Sequence, residues 1–320
     1  MVAAEQRLTT AADVRIDHAL IRKLVANWPR RTTIRSDKFP FPETAAADYE
    51  AERPDYPIRL VPFRDHPLFL DVSPAQRLRV LTLAWLSYNE RTILAEEHMA
   101  NPAFTMIMHG KFAGAEDIVV RQSVQHALID EHFHTLIHMT AMEETCRLRA
   151  LPADWHSPDS VTRRSMLADH ARATEDWERQ IVILAYAVVA EISVNAYLDL
   201  LSADDTIQPM HKLITYLHNR DEFAHGQLIV EVIKLLFIRM NARQQAYFCK
   251  MFPRALTAYA SHDFSAWRSI LRYVGVARGD EIVDDCEHDA SSQLLVRDFS
   301  GLERVATELA ILDRIDFRFS

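Results

Sequence analysis

The sequence predicts an all-α protein in which four long helices form a bundle. Only 6 of the 320 residues are glycine, although 49% are hydrophobic, so a sheet with many tight turns is not expected. Apolar residues recur at helical spacing in four segments of roughly 25 to 35 residues, which is the length of bundle helices. Short or moderate connections join these segments, so neighbouring helices can pack against one another.

The composition excludes several classes of protein. The net charge is −9 and the basic residues form no long run, so nucleic acid is not an expected partner. The glycines form neither a GxGxxG motif nor a phosphate-binding loop. Cys146, Cys249 and Cys286 are scattered, which suits a reducing compartment. The N-terminal residues lack a leader-like apolar segment, and the longest apolar run, Ile181–Ala190, is half a membrane span. We therefore expect a cytoplasmic protein with no membrane partner.

The prolines divide the chain unevenly. Eight of the 13 lie at or before Pro74, and the segment Pro54–Leu70 alternates proline with large apolar residues. We expect a single domain in which residues 1–72 form an irregular arm packed on the bundle. Residues 73–240 then form the four-helix core, and residues 241–320 supply shorter helices and a tail.

The first long helix has a clear start. Ser73 can accept a hydrogen bond from a free backbone amide while Gln76 reaches back, and Pro74 suits the first helical position. The helix is expected to run to about Met99 and to stop before Pro102, because the residue before a proline disfavours helical geometry.

The remaining helices follow the same periodicity. The second is expected over residues 116–149, and the third over residues 174–201 after a polar linker. The fourth is expected to be capped by Asp204–Thr206 and to run to about Met240. Two shorter helices are expected at residues 242–261 and 266–273, and no element is predicted with clear bounds in the tail.

Ionisable residues occupy core positions on all four long helices. Residues three or four apart share a helix face, so a Glu-x-x-His pair points in one direction. A carboxylate buried in a bundle core is costly without a partner, and a metal explains the convergence of several. The candidate ligands are Glu96 or Glu97, Glu131, His134, Glu191, His218, Glu222 and His225.

The order of these residues indicates an internal duplication. Glu96 precedes Glu131 by 35 residues and Glu191 precedes Glu222 by 31, and each later glutamate opens a Glu-x-x-His motif. Di-metal carboxylate bundles use this inventory, and four carboxylates balance two divalent cations. Oxygen-rich sites with some imidazole suit iron, with manganese as the alternative. Buried salt bridges without a metal are the competing interpretation.

Three further residues extend the pattern. Asp130 and Asp221 each precede a Glu-x-x-His motif and are expected to accept from the outward-facing nitrogen of a ligand imidazole. His218 lies one turn before Glu222, whereas Ala127 holds the equivalent position in the other half. We expect His218 to be a third imidazole ligand that makes the two metals inequivalent; the alternative is a histidine beside the site.

Two nearby residues have more ordinary interpretations. His138 lies one turn after His134, but the ligand set is already complete, so His138 is expected to support the site without binding metal. Gly226 directly follows His225 inside a helix, where glycine costs about 1 kcal/mol relative to alanine. Its presence there would permit close packing near the metals.

Several segments resemble one known family. The doubled Glu…DExxH pattern is similar to the ferritin-like di-iron superfamily, although many members carry DExRH where this chain has Phe133 or Ala224 before the histidine. The closer resemblance, over about Leu24 to the C-terminus, is to the p-aminobenzoate N-oxygenase family. It is carried by YNERTILAEEHMANPAF, IDEHFHTLIHM, AEISVNAYLDLL, TIQPMHKLITYLHNRDEFAHG and VRDFSG.

The resemblance implies a fold, a ligand set and an activity. It implies a ferritin-like bundle with two iron ions, and it selects Glu96 over Glu97 as a ligand. It also implies an O2-dependent N-oxygenase that converts an aromatic amine to hydroxylamine, nitroso and nitro products in antibiotic biosynthesis. The alternatives are a di-iron hydroxylase or desaturase, and an iron-storage or ferroxidase protein.

Substrate and partners follow from the same resemblance. An aminobenzoate needs a cation for its carboxylate, and Arg91 with neighbouring Tyr88 is the candidate; an exposed helix arginine is the alternative. Asn195, one turn after Glu191, is expected either to contact substrate or to orient Glu191. No reductase module is evident, so a separate electron donor is expected, together with a homodimer.

Overall fold

The helices of the protein pack around the two central helices of a bundle. A computed structural model describes residues 8–35, 48–152 and 155–319, and within them no strand is present beyond an isolated bridge between Ser261 and Leu294. The all-α prediction is confirmed. In chain order the helices are α1 (His18–Arg31), α2 (Pro67–Leu70), α3 (Pro74–Ala95), α4 (Asn101–Met108), α5 (Ile118–Leu148), α6 (Val161–Arg172), α7 (Asp176–Ser202), α8 (Pro209–Phe237), α9 (Ala242–Ala260), α10 (Phe264–Val274), α11 (Gly279–His288) and α12 (Ser300–Glu308).

The four long helices are α3, α5, α7 and α8. Helix α7 packs along α8, while α5 packs against α3 and α8, and α9 covers the outer side of α7. Helix α7 is long and apolar enough to cross a membrane, but most of it is buried inside the fold, as expected of a central core helix. The three cysteines are all described and none forms a disulfide.

The first long helix does not stop before Pro102, so that prediction is wrong. A single π-helical turn, Glu96–Ala100, joins α3 to α4, and the backbone N–H of Asn101 bonds the carbonyl of Glu96. The helical path can continue past this turn because Pro102 falls in the first turn of α4, where a missing N–H costs least. Single π turns occur frequently at functional sites, and this one begins at a predicted metal ligand.

Two predicted helix caps differ in detail. Ser73 Oγ accepts from the amide of Gln76, but the Gln76 side chain accepts from Ser73 Oγ instead of reaching the backbone, so the capping box is half formed. Helix α8 begins at Pro209 after Gln208, so Asp204 does not cap it. Asp204 instead accepts from Arg59 Nε at 2.7 Å, because a basic side chain of the arm lies beside it.

Helices also occur in three segments where no helix was predicted. The N-terminal arm contains the 14-residue α1, which is capped by Asp17 and packs against α5 and α8. The polar linker contains α6, which begins where Ser160 Oγ accepts from the amide of Arg163. The tail contains α11 and α12. Part of the predicted arm, residues 36–47, lies outside the described residues.

Candidate metal centre

The seven predicted ligand side chains meet in the middle of the bundle. Each is 5% exposed or less. They form two adjacent groups, in each of which one potential ligand atom per residue lies within 4.8 Å of the others. The first group is Glu96, His134 and His218, and the second is Glu131, Glu191, Glu222 and His225.

Two glutamates connect the groups. Glu222 Oε1 lies 3.2 Å from His134 Nδ1, 3.2 Å from His218 Nε2 and 3.3 Å from His225 Nδ1. Glu131 Oε1 lies 2.7 Å from His225 Nδ1, while its Oε2 lies 3.5 Å from His134 Nδ1. Both carboxylates therefore stand between the groups, whereas Glu96 and Glu191 stand at the two ends.

The side chains present fit a pair of divalent metal ions. Five buried atoms of the cluster form no hydrogen bond of good geometry, although some lie close to another polar atom, and this state is costly unless a cation satisfies them. Four carboxylates and three imidazoles form the donor set expected for iron or manganese. The five atoms are Glu96 Oε1, Glu131 Oε1, His134 Nδ1, Glu191 Oε2 and Glu222 Oε2.

Burial affects the terminal and central carboxylates differently. Burial, followed by the charge of Glu131, raises the pKa of both Glu96 and Glu191 well above the ordinary value. Burial also acts on Glu222, but the imidazoles of His225 and His134 outweigh it and hold the pKa of Glu222 well below the ordinary value. Glu222 is therefore more firmly anionic than Glu96 or Glu191.

Asp130 and Asp221 lie behind the ligand histidines, with their partners exchanged between the two halves. Asp130 Oδ2 lies 3.1 Å from His225 Nε2, and Asp221 Oδ2 lies 3.5 Å from His134 Nε2. Burial tends to raise the pKa of Asp221, yet the hydrogen bond and the charge of His134, followed by a hydrogen bond with Thr33, bring it to about 2. Each aspartate thus serves the histidine of the opposite Glu-x-x-His motif.

The additional histidine, His218, lies among the candidate ligand atoms. His218 Nε2 is 3.4 Å from Glu96 Oε1, and its Nδ1 is 2.8 Å from His138 Nε2. His138 Nδ1 in turn lies 2.7 Å from Asn89 Oδ1. His138 is therefore placed behind His218, in the supporting position expected for it.

A cavity connects the ligand cluster to the predicted substrate residues. Its volume is about 40 Å³. Arg91 and Tyr88 line it together with Glu96, Glu222 and other candidate ligands. Tyr197 and Tyr259 also line it; sequence reasoning missed both, although Tyr197 lies in the quoted segment AEISVNAYLDLL. Asn195 is not among the lining residues, and its buried Nδ2 lacks a hydrogen-bond partner.

Gly226 allows α8 to approach α7 beside the second group. A Cβ at this position would lie 3.1 Å from the backbone carbonyl oxygen of Glu191. We expect Gly226→Ala to separate the helices slightly and to weaken metal binding about tenfold, the size of effect seen when ligand support is lost. Stability of the apo-protein should change little, because alanine favours the helix by about 1 kcal/mol.

A chelator titration of metal-loaded protein measures this effect. Gly301→Ala is the comparison variant, because its Cβ would also come close to α7, but at 3.0 Å from the Cγ2 side-chain atom of Ile192 and not at the backbone of Glu191. Equal metal retention in Gly226→Ala and Gly301→Ala would contradict the prediction.

Fold and site together define a class of protein. An all-helical bundle that buries four carboxylates and three imidazoles in two adjacent groups has the architecture of the di-metal carboxylate proteins. Residues 16–310 match the family model described as p-aminobenzoate N-oxygenase AurF. The 4-aminobenzoate N-oxygenase of Streptomyces thioluteus is 45% identical over 304 residues, which cover 95% of this chain and 90% of that protein. The chain belongs to the p-aminobenzoate N-oxygenase family and is an oxygenase, which confirms the resemblance noted in the sequence.

Proposed function

We propose that this chain is a di-iron enzyme that uses O2 to convert p-aminobenzoate or a similar arylamine to hydroxylamine, nitroso and finally nitro products. The observation that carries the substrate assignment is the cavity that contains both the ligand cluster and Arg91. Arg91 forms no ion pair with a carboxylate in the described part of the chain. An aminobenzoate has a carboxylate and an amine at opposite ends of a ring, so it can satisfy both ends of such a cavity.

Arg91 is held in a position suited to a carboxylate. Its Nη2 donates to the carbonyl of Tyr259 at 2.7 Å, and its guanidinium lies 5.9 Å from the ring centre of Tyr197. The buried hydroxyl of Tyr88 has no hydrogen-bond partner, and burial raises the pKa of Tyr88 well above its ordinary value. Tyr88 therefore remains protonated and can donate to the same carboxylate, leaving the amine to face the ligand cluster.

The protein groups bind, orient and shield the substrate. Glu96, Glu131, His134, Glu191, His218, Glu222 and His225 hold the two iron ions in this proposal. When bound, the iron ions supply the binding and reduction of O2. Conversion of amine to hydroxylamine inserts one oxygen atom, while two electrons and two protons from a separate donor reduce the other atom to water. Ala95, Ala190 and Val194 form apolar parts of the wall and limit the entry of water.

A single-turnover assay tests the proposal. Protein loaded anaerobically with Fe(II) is mixed with p-aminobenzoate and exposed to O2, and the products are identified by mass spectrometry. We expect oxygen on the amine nitrogen. Consumption of O2 with unchanged amine would favour a hydroxylase or desaturase acting on another substrate. Accumulation of ferric iron beyond two per chain would favour a ferroxidase.

Arg91→Met separates carboxylate binding from chemistry. Hydrogen bonds to charged groups contribute about 1.5–3 kcal/mol, so KM for p-aminobenzoate should rise roughly 10- to 100-fold. KM for 4-methylaniline, which lacks the carboxylate, should change little. Arg79→Met, on the same helix α3 outside the cavity, is the control. Equal effects of Arg91→Met on both amines would remove Arg91 from the substrate site.

The proposal includes a homodimer in the cytoplasm that receives electrons from a separate protein. Four large apolar side chains on the packed helices α5 and α8 support the dimer, because they are more than half exposed in the single chain: Leu136, Met139, Tyr216 and Phe223. Contiguous exposed apolar surface commonly marks a protein interface. Sedimentation equilibrium of the loaded protein measures the oligomeric state.

A further inference from the structure

The end of α1 places hydrogen-bond donors on both of the buried aspartates that support the ligand histidines. Asp130 and Asp221 are 1% exposed or less, although neither is a candidate metal ligand. Their partners come from the N-terminal arm, about 100 and 190 residues away along the chain. The bundle therefore does not complete the surroundings of its own site.

Arg31 is the residue that contacts both aspartates through its side chain. Its Nη1 donates to Asp221 Oδ1 at 3.0 Å and to the Asp221 carbonyl at 3.2 Å, while Nη2 approaches Asp130 Oδ2 at 3.4 Å. The guanidinium suits this role because its nitrogens donate in fixed directions from one plane. One cation thus joins the carboxylates behind His134 and His225.

Other donors from the arm serve only one aspartate each. Trp28 Nε1 lies 3.0 and 2.9 Å from the two oxygens of Asp130, and Thr32 Oγ1 lies 2.5 Å from Asp130 Oδ1. The backbone amide of Thr33 donates to Asp221 Oδ2 at 2.9 Å. Without Arg31, Asp130 therefore keeps two side-chain donors from the arm, whereas Asp221 keeps only the contact from Thr33.

We propose that Arg31 is a positioning residue that couples the two metal positions, by orienting Asp130 and Asp221 and through them the imidazoles of His225 and His134. The inference rests on the proposed metal centre. A histidine that binds metal through Nδ1 donates its Nε2–H to such a carboxylate, which fixes both the tautomer and the direction of the ring. Because Arg31 contacts both carboxylates, its loss disturbs both metal positions. Loss of the Trp28 contact disturbs the position of His225 alone.

The test uses Co(II) alone as the probe, because its visible spectrum reports ligand geometry without any turnover. Wild-type protein is titrated anaerobically with Co(II) in competition with a chelator. For Arg31→Met we expect both binding steps to weaken 10- to 100-fold, the range found when partners of ligand histidines are removed. For Trp28→Phe, which keeps an aromatic ring and loses the Nε1–H, we expect one step to weaken and the other to remain unchanged.

Two more variants keep the proposal separate from general damage to the arm. Arg31→Lys retains the positive charge but lacks the two separate Nη nitrogens that reach the two aspartates. Compared with Arg31→Met, we expect it to recover Co(II) affinity at one binding step more than at the other. Arg220→Met removes a guanidinium that donates to Thr33 Oγ1 of the same arm segment, at 2.9 Å, without bonding either aspartate. We expect it to bind Co(II) as the wild type does. Thermal unfolding of each apo-protein confirms that it folds.

The outcomes distinguish this inference from the proposed function. If wild-type protein binds fewer than two Co(II) ions per chain, the metal centre itself fails. If wild type binds two and Arg31→Met binds them with unchanged affinity and spectrum, Arg31 has no positioning role and the proposed function stands. Equal weakening in Arg31→Met and Arg220→Met would show that the arm contributes only structural support, and would also overturn the inference.

Discussion

Replacing Glu222 by glutamine is expected to empty both metal positions and to lower N-oxygenation at least about 1,000-fold. Oε1 of this residue lies within 3.3 Å of an imidazole nitrogen on each of His134, His218 and His225. The amide keeps the shape of the side chain but loses the negative charge with which Glu222 would help to hold both metals. A metal-dependent reaction then loses several kcal/mol of stabilisation, and each 1.36 kcal/mol corresponds to about a tenfold change in rate.

Glu191→Gln is the matched comparison, because Glu191 stands at one end of the cluster, where its Oε2 lies 4.0 Å from His225 Nδ1. We expect this variant to retain about one iron per chain while Glu222→Gln retains almost none. Iron is measured by elemental analysis after reconstitution and desalting, and circular dichroism of the apo-proteins verifies the fold. Two tightly bound irons in Glu222→Gln would show that the Glu222 carboxylate is not required to hold either metal.

The ligand cluster could be predicted from the sequence because it lies on long, regular helices. A Glu-x-x-His motif fixes the relative direction of its two side chains wherever the helix is intact, so Glu131 with His134 and Glu222 with His225 were certain to face together. Apolar neighbours such as Val124 then show that this face is the buried one. Helix periodicity alone did not choose between Glu96 and Glu97, and it did not show how the residues divide into two groups; the structure places Glu96 in the first group.

The path of the chain near Glu96 could not be predicted in the same way. Local rules predict that a helix ends before Pro102. The π turn instead joins α3 to α4, and Pro102 lies in the first turn of α4. A single π turn of five residues is too short to produce a recognisable periodic pattern in the sequence. Packing against α5 and α7 decides whether it forms, and local propensity does not include those contacts.

The surroundings of Asp130 and Asp221 were also hidden from the sequence. The aspartates were recognised from their position before each motif, but their exchange between the two halves depends on how α5 and α8 cross. The donors from Trp28 and Arg31 belong to a proline-containing segment that lacks any metal-site motif. Contacts across such distances in the chain are set by tertiary packing, as is the contribution of Tyr259 from α9 to the cavity.

His218→Ala is expected to weaken the first metal position selectively and to make the two irons more alike. His218 Nε2 faces Glu96 Oε1 at 3.4 Å and Glu222 Oε1 at 3.2 Å, whereas the equivalent position in the other half holds Ala127. Without the third imidazole, one histidine, one terminal glutamate and the two central glutamates would remain to hold each metal. We expect two distinct Mössbauer signals in the wild type, a loss of the first in the variant, and a fall in single-turnover N-oxygenation of about 100-fold or more.

Added imidazole offers a sharper version of this experiment. The alanine variant leaves a space the size of the lost ring, bordered by His138, whose Nε2 lies 2.8 Å from His218 Nδ1 in the wild type. Free imidazole should enter this space, restore the first iron signal and recover part of the activity. His138→Gln, which retains a hydrogen-bonding group behind His218, should keep both irons and lose at most about tenfold in activity. If His218→Ala keeps the wild-type iron content and spectrum, His218 supports the site without binding metal, and the inequivalence of the two positions must arise from their carboxylates.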